Sequence, residues 1–167
     1  MHDIKIGTLI SADKVESVMP KLISYGFETF SITFWKTLGG CDLVKLADSV
    51  KRILADTDCT ISSIGLYGNP PTYGESALAA FGDVYRSQAN EGLKQLIDCA
   101  SLFGTDLVAG FAGRLPDRPV EESVPKFQEV FAPLAQRAGE KGLKIAFENC
   151  NMDGDWNRGS YNIAFSP

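Results

Sequence analysis

The sequence lacks closely spaced cysteines and holds a single histidine. Its four cysteines, Cys41, Cys59, Cys99 and Cys150, are widely spaced with no Cys-x-x-Cys pair among them. That excludes the close thiol spacing of a structural zinc site or a thioredoxin-like redox motif. A chain of 167 residues needs no disulfide staples, so all four read as reduced thiols. Cys59 and Cys99 fall in apolar periodic segments and are expected to be buried packing residues. The only histidine, His2, sits in a terminus expected to fray and makes a poor ligand. Positive charge is also in deficit: 16 Lys+Arg against 21 Asp+Glu give a net charge of -5. No basic face large enough to neutralise a phosphate backbone is expected, which disfavours nucleic acid as a partner. No apolar run approaches the roughly 20 residues that span a bilayer. The opening Met1-His2-Asp3-Ile4-Lys5 lacks the basic-then-apolar order of a signal peptide. The expectation is a cytoplasmic protein without membrane or nucleic-acid partners.

What is present is ordinary globular composition, 44% hydrophobic and 22% charged, enough for one domain over residues 1–167 with its own core. Short apolar runs rich in β-formers alternate with longer amphipathic stretches. Ile4 to Ile10 alternates with period two and reads as a strand; Lys14 to Tyr25 carries Val15, Val18, Met19, Leu22 and Ile23 at helical spacing and stops at Gly26. Phe27 to Trp35 reads as the second strand, Asp42 to Ala55 as the second helix and Thr60 to Tyr67 as the third strand. Ser87 to Phe103 is the third helix, with a helix-compatible turn at Ser76 to Phe81 ahead of it, and Asp106 to Phe111 is the fourth strand. Val120 to Glu140 is the fourth helix, which Pro125 and Pro133 are expected to kink or divide. Leu143 to Glu148 is the fifth strand.

Strict alternation of strand and helix implies parallel strands joined by right-handed crossovers, so the class is α/β. An open dinucleotide-binding sheet needs a glycine-rich first turn, yet that turn is Ile10-Ser11-Ala12-Asp13, and no Walker motif occurs elsewhere. In a barrel the chemistry collects instead at the carboxyl ends of the strands. Those ends read Phe34-Trp35, Tyr67-Gly68-Asn69-Pro70-Pro71, Phe111-Ala112-Gly113-Arg114 and Phe147-Glu148-Asn149-Cys150. Aromatic faces recur beside polar groups, which suits a polyol pocket; a single aromatic there would serve equally well as a core cap. Arg114 and Arg118 could hold a phosphate or acid group, or simply be solvated, and Asp153-Gly154-Asp155 reads as turn chemistry.

Lys144-Ile145-Ala146-Phe147-Glu148 is an apolar strand that finishes in a carboxylate. An isolated charge at such a mouth costs several kcal/mol unless a cation or donors compensate it. A hard divalent ion would do so, as would a salt bridge to Arg114.

Taken in order, Gly65-Leu66-Tyr67-Gly68-Asn69-Pro70, Gly110-Phe111-Ala112-Gly113-Arg114, Ile145-Ala146-Phe147-Glu148-Asn149-Cys150 and Tyr161-Asn162-Ile163-Ala164-Phe165-Ser166-Pro167 resemble the xylose isomerase-like TIM-barrel superfamily. The nearest likeness is to its sugar phosphate isomerase/epimerase group, which includes D-tagatose 3-epimerase-like enzymes. The resemblance implies a (β/α)8 TIM barrel, here incomplete with about five βα units, strands six to eight being absent. It implies that Glu148 matches the first of four metal ligands (Mn, Mg, Co or Zn) and one of two carboxylates that move a proton beside a carbonyl through an enediolate. It further implies that Trp35, Tyr67, Asn69, Phe111, Arg114, Asn149 and Trp156 line a sugar pocket.

Such a barrel takes about 250 residues, so the later ligands have no counterparts in 167. The expectation is the amino-terminal part of a metal-dependent sugar or polyol isomerase or epimerase, inactive alone. Alternatives are a half-barrel closed by a second copy through its open edge, a noncatalytic binding or assembly module, and an endonuclease IV-like repair enzyme, which the acidic balance disfavours.

Overall fold

The computed structural model describes residues 4–67, 90–115, 119–149, 154–155, 159–160 and 162–165. Five strands, β1 (Gly7–Ser11), β2 (Thr29–Trp35), β3 (Thr60–Tyr67), β4 (Leu107–Gly110) and β5 (Lys144–Phe147), form one sheet in chain order. Every neighbouring pair is parallel. The intervening helices are α1 (Val15–Ser24), α2 (Leu43–Leu54), α3 (helical over 90–99) and α4 (Val120–Glu140). The fold is α/β, as the alternation of segments predicts. Beyond β5, β6 (Gly154–Asp155) and β7 (Gly159–Ser160) pair as a short antiparallel ribbon.

Alternation along each strand divides the sheet into two faces. Ile10, Ile32, Ile64, Val108 and Ile145 belong to the main core with Val15 and Met19 of α1, Leu43, Ala47 and Val50 of α2, Leu93, Leu96 and Ile97 of α3, and Phe131, Leu134 and Ala138 of α4. One face is therefore covered by helices. The other carries residues of opposite parity, among them Leu9, Ser31, Thr33, Ser63, Gly65, Ala109 and Ala146. An extra residue at Ser62 shifts the register so that Ser63 lies opposite Ser31. The Ser62 carbonyl then accepts a hydrogen bond from Thr105 Oγ1 at 3.1 Å.

Local chemistry starts α2. Asp42 caps α2, its Oδ1 accepting from the amides of Val44 (3.2 Å) and Lys45 (3.1 Å). These contacts hold its carboxyl below the usual carboxylate range.

Two expectations need correction. The fourth helix is not divided: α4 runs unbroken for 21 residues through Pro125 and Pro133. Each proline forfeits one intrahelical bond, at about 3 kcal/mol, but burying a Phe or Leu side chain returns about 1.5–3 kcal/mol. Phe131, Leu134, Val130 and Ala138 are all buried along that face. Cys59 and Cys99 are only partly buried, lying at the margin of the core. The Cys59 thiol finds a partner in the Phe27 carbonyl at 3.5 Å. Of the stretch read as turn chemistry, Gly154 and Asp155 form β6, and Asp153 lies outside the described residues. Among the described residues, no helix is long and apolar enough to cross a membrane.

Candidate active site

The register of the sheet brings four of the predicted site residues into one row at the carboxyl ends of the strands. Trp35 pairs with Tyr67 across β2 and β3. One residue beyond the Leu66 and Gly110 pair, Phe111 falls beside Tyr67. One residue beyond the Gly110 and Phe147 pair, Glu148 falls beside Phe111. Backbone bonds carry the ladder to this level: the Lys36 amide donates to the Tyr67 carbonyl (3.2 Å) and the Glu148 amide to the Gly110 carbonyl (2.9 Å). Lys36, just past the row, has φ 65, a left-handed conformation uncommon for a non-glycine residue.

The row beneath is made of Thr33, Gly65, Ala109 and Ala146, aligned by the same register. Its side chains are small, and Tyr67 occupies part of the space they leave. A Cβ placed on Gly65 would lie 2.7 Å from Tyr67 Cε2 and 3.0 Å from the Ala109 carbonyl oxygen. The phenol ring therefore lies back over Gly65 rather than standing out from the mouth. Phe111 meets it edge-on, with ring centroids 5.1 Å apart and planes at 75°. That geometry suits the ring quadrupoles. Ser31 Oγ lies 2.6 Å from Ser63 Oγ, and Ser31 is close enough to the Tyr67 phenol to favour its ionised form. Burial pushes the ionisation of that phenol up, and the nearby Glu148 carboxylate pushes it the same way against the opposing effect of Ser31.

The row is uneven in exposure. Tyr67 and Phe111 are buried, whereas Trp35 is 64% exposed. Glu148 and Asn149 are exposed at the end of β5. Arg114 is buried beyond the end of β4. The ion pairs among the described residues include none between Glu148 and Arg114. Asn69 and Trp156, together with His2, Ser76 to Phe81, Arg118, Cys150 and Asp153, lie outside the described residues. No three His, Cys, Asp or Glu side chains among the described residues come together to hold a metal ion.

Two residues at this end carry structure that the motifs alone do not reveal. Ser31 reads in sequence as an ordinary strand residue, and only the sheet register places it under Tyr67. Asn162 is 2% exposed, and its Nδ2 donates to the Glu148 carbonyl at 2.8 Å. Elsewhere, a hollow of about 400 Å³ lies between Thr37–Cys41 and the Glu91, Gly92 and Gln95 side of α3. An apolar groove of about 340 Å³ runs between α4 and β5. Neither is lined by Glu148.

A parallel sheet in chain order, helices on one face and polar and aromatic residues gathered at the strand ends describe a TIM-barrel fragment with its candidate site at the usual end. The family model for the xylose isomerase-like TIM barrel matches residues 20–161, and the chain belongs to that family. Solved structures with the same fold include an L-ribulose 3-epimerase, 20% identical with a TM-score of 0.65 over 96% of this chain and 52% of that one. Another is the 3-keto-D-glucoside 4-epimerase YcjR from E. coli, 19% identical with a TM-score of 0.65 over 95% of this chain and 58% of that one. A third is a D-allulose 3-epimerase from Methylomonas sp. in complex with D-allulose, 17% identical with a TM-score of 0.58 over 89% of this chain and 52% of that one. The chain thus spans little more than half the length of these structures. No curated protein matches it in sequence.

Proposed function

We propose that this chain is the amino-terminal, five-stranded portion of a metal-dependent isomerase or epimerase acting on sugars, sugar phosphates or related polyols. The single observation that carries the reading is the row Trp35, Tyr67, Phe111, Glu148, which sets one carboxylate beside flat aromatic faces at the carboxyl end of a parallel sheet. Sugar epimerases among the structures of like fold support it.

In this reading Glu148 takes or returns the proton on the carbon next to the substrate carbonyl, passing through an enediolate. Phe111 and Tyr67 pack against C–H bonds of the ring or chain, Trp35 and Asn149 offer contacts at the rim, and the buried Arg114 serves as a polar group of the inner wall. Asn69 and Trp156 are proposed for the same pocket. A divalent ion (Mn, Mg, Co or Zn), when bound, supplies polarisation of the carbonyl that acidifies the neighbouring carbon. Glu148 fits such an ion as one hard oxygen ligand. Because no three metal-ligating side chains meet among the described residues, the rest of the ligand set has to come from outside them, and the 167 residues alone are proposed to be inactive.

The test is to join the chain to a carboxyl-terminal half-barrel, add Mn²⁺, Mg²⁺, Co²⁺ or Zn²⁺, and follow solvent deuterium into ketoses. Incorporation that Glu148→Gln abolishes is the expected result. Failure of the completed barrel to bind any divalent ion, or full activity in Glu148→Gln, overturns the proposal and leaves the noncatalytic binding module as the better reading.

A further inference from the structure

We propose that Asn162 is a positioning residue for Glu148, holding the backbone of the strand-end carboxylate through a buried amide. The inference rests on the reading of Glu148 as the reactive carboxylate. Glu148 is the first residue beyond β5, where the ladder ends. Its amide is still held by the Gly110 carbonyl at 2.9 Å. Its carbonyl instead accepts from Asn162 Nδ2 at 2.8 Å, a partner 14 residues further along the chain. With both backbone groups engaged, the direction in which Glu148 leaves the strand is set, and with it the placement of its carboxylate beside Phe111 and Tyr67.

Asn162 is itself fixed. At 2% exposure its amide is costly to bury unless bonded. Its Oδ1 accepts from the Ala164 amide at 3.3 Å, and the adjoining Ile163 amide donates to the Gly113 carbonyl at 3.1 Å. Residues 162–163 thereby tie the segment after β4 to the end of β5, and they close the base of the loop that carries β6 and β7.

Two substitutions separate positioning from a merely turn-forming role. Asn162→Asp keeps the acceptor for Ala164 but cannot donate to the Glu148 carbonyl when ionised; Asn162→Ala loses both contacts. Amide exchange by NMR on the whole chain reads the outcome. Positioning predicts that both variants loosen the end of β5, so that the Glu148 amide, still paired with the Gly110 carbonyl, opens and exchanges several-fold faster, while Ile64 and Val108 in the central strands exchange as in the parent protein. In the barrel completed with a carboxyl-terminal half, it also predicts that Asn162→Ala weakens the line broadening that Mn²⁺ produces at Glu148. If Asn162→Ala does not fold, Asn162→Asp decides. Parent-like exchange at Glu148 in Asn162→Asp overturns the inference. Absence of Mn²⁺ broadening at Glu148 in the completed parent barrel counts against the proposed function instead, and leaves the exchange result to judge Asn162.

Discussion

Adding one methyl group at Gly65 tests whether the phenol of Tyr67 is built into the floor of the site. A Cβ there would stand 2.7 Å from Tyr67 Cε2, 3.2 Å from Cζ and 3.0 Å from the Ala109 carbonyl oxygen. The backbone oxygen belongs to the neighbouring strand, so the ring has to give way. Displacing it separates Tyr67 from Phe111 and from Ser31, and overpacking of this kind costs about 1–3 kcal/mol. Gly65→Ala should lower the stability measured by urea unfolding within that range. Removing the ring first should relieve most of the cost, because only the 3.0 Å contact to Ala109 then remains. In a double-mutant cycle with Tyr67→Ala, the coupling between the two positions should therefore be about 1–2 kcal/mol. The Tyr67 phenol of Gly65→Ala should also ionise closer to the ordinary tyrosine value, since its burial is the main influence holding it high. Strictly additive energies, together with an unchanged phenol titration, would refute the packing described for this row.

Two more outcomes follow from charge. Glu148→Gln should lower the pH at which Tyr67 ionises, because the carboxylate raises it, yet leave it above the ordinary value, because burial is the larger cause; NMR of ring-labelled tyrosine checks this, and no shift would separate the two side chains. Asp98 binds Arg137 at 3.0 and 2.6 Å and Lys141 at 3.3 Å, joining α3 to α4, and its carboxyl is held below the usual range chiefly by Arg137. A carboxyl depressed on folding contributes stability above its unfolded pKa, near 3.9, that disappears as pH falls through the folded value. Asp98→Asn should thus cost up to about 1 kcal/mol at neutral pH, solvent screening included. The difference should vanish in acid, and a constant difference across the acid limb would contradict the pairing.

The order and type of the elements were legible because each strand and helix announces its own period. The third strand was read to its last residue, Thr60 to Tyr67. The first was read too early: Ile4 and Ile6 alternate like strand residues but are exposed, and pairing with β2 begins only at Gly7 and Thr29. Alternation describes a face, whereas strand limits depend on a partner. The prolines of α4 show the converse, a local rule overridden by burial of Phe131 and Leu134. For the site, the strand-end aromatics and Glu148 could be named because barrel chemistry gathers there. Their meeting in one row could not, since it depends on the inter-strand register and on the extra residue at Ser62. Asn162 was hidden for a similar reason, its bond to Glu148 linking residues that are remote in sequence.

Thr33, Gly65, Ala109 and Ala146 give the level below the site little bulk of its own, so its depth is governed by a single ring resting on a glycine. A shorter side chain in place of Tyr67 would leave the space over Gly65 unfilled, so the depth of this end of the sheet turns on one codon rather than on the strand pairing.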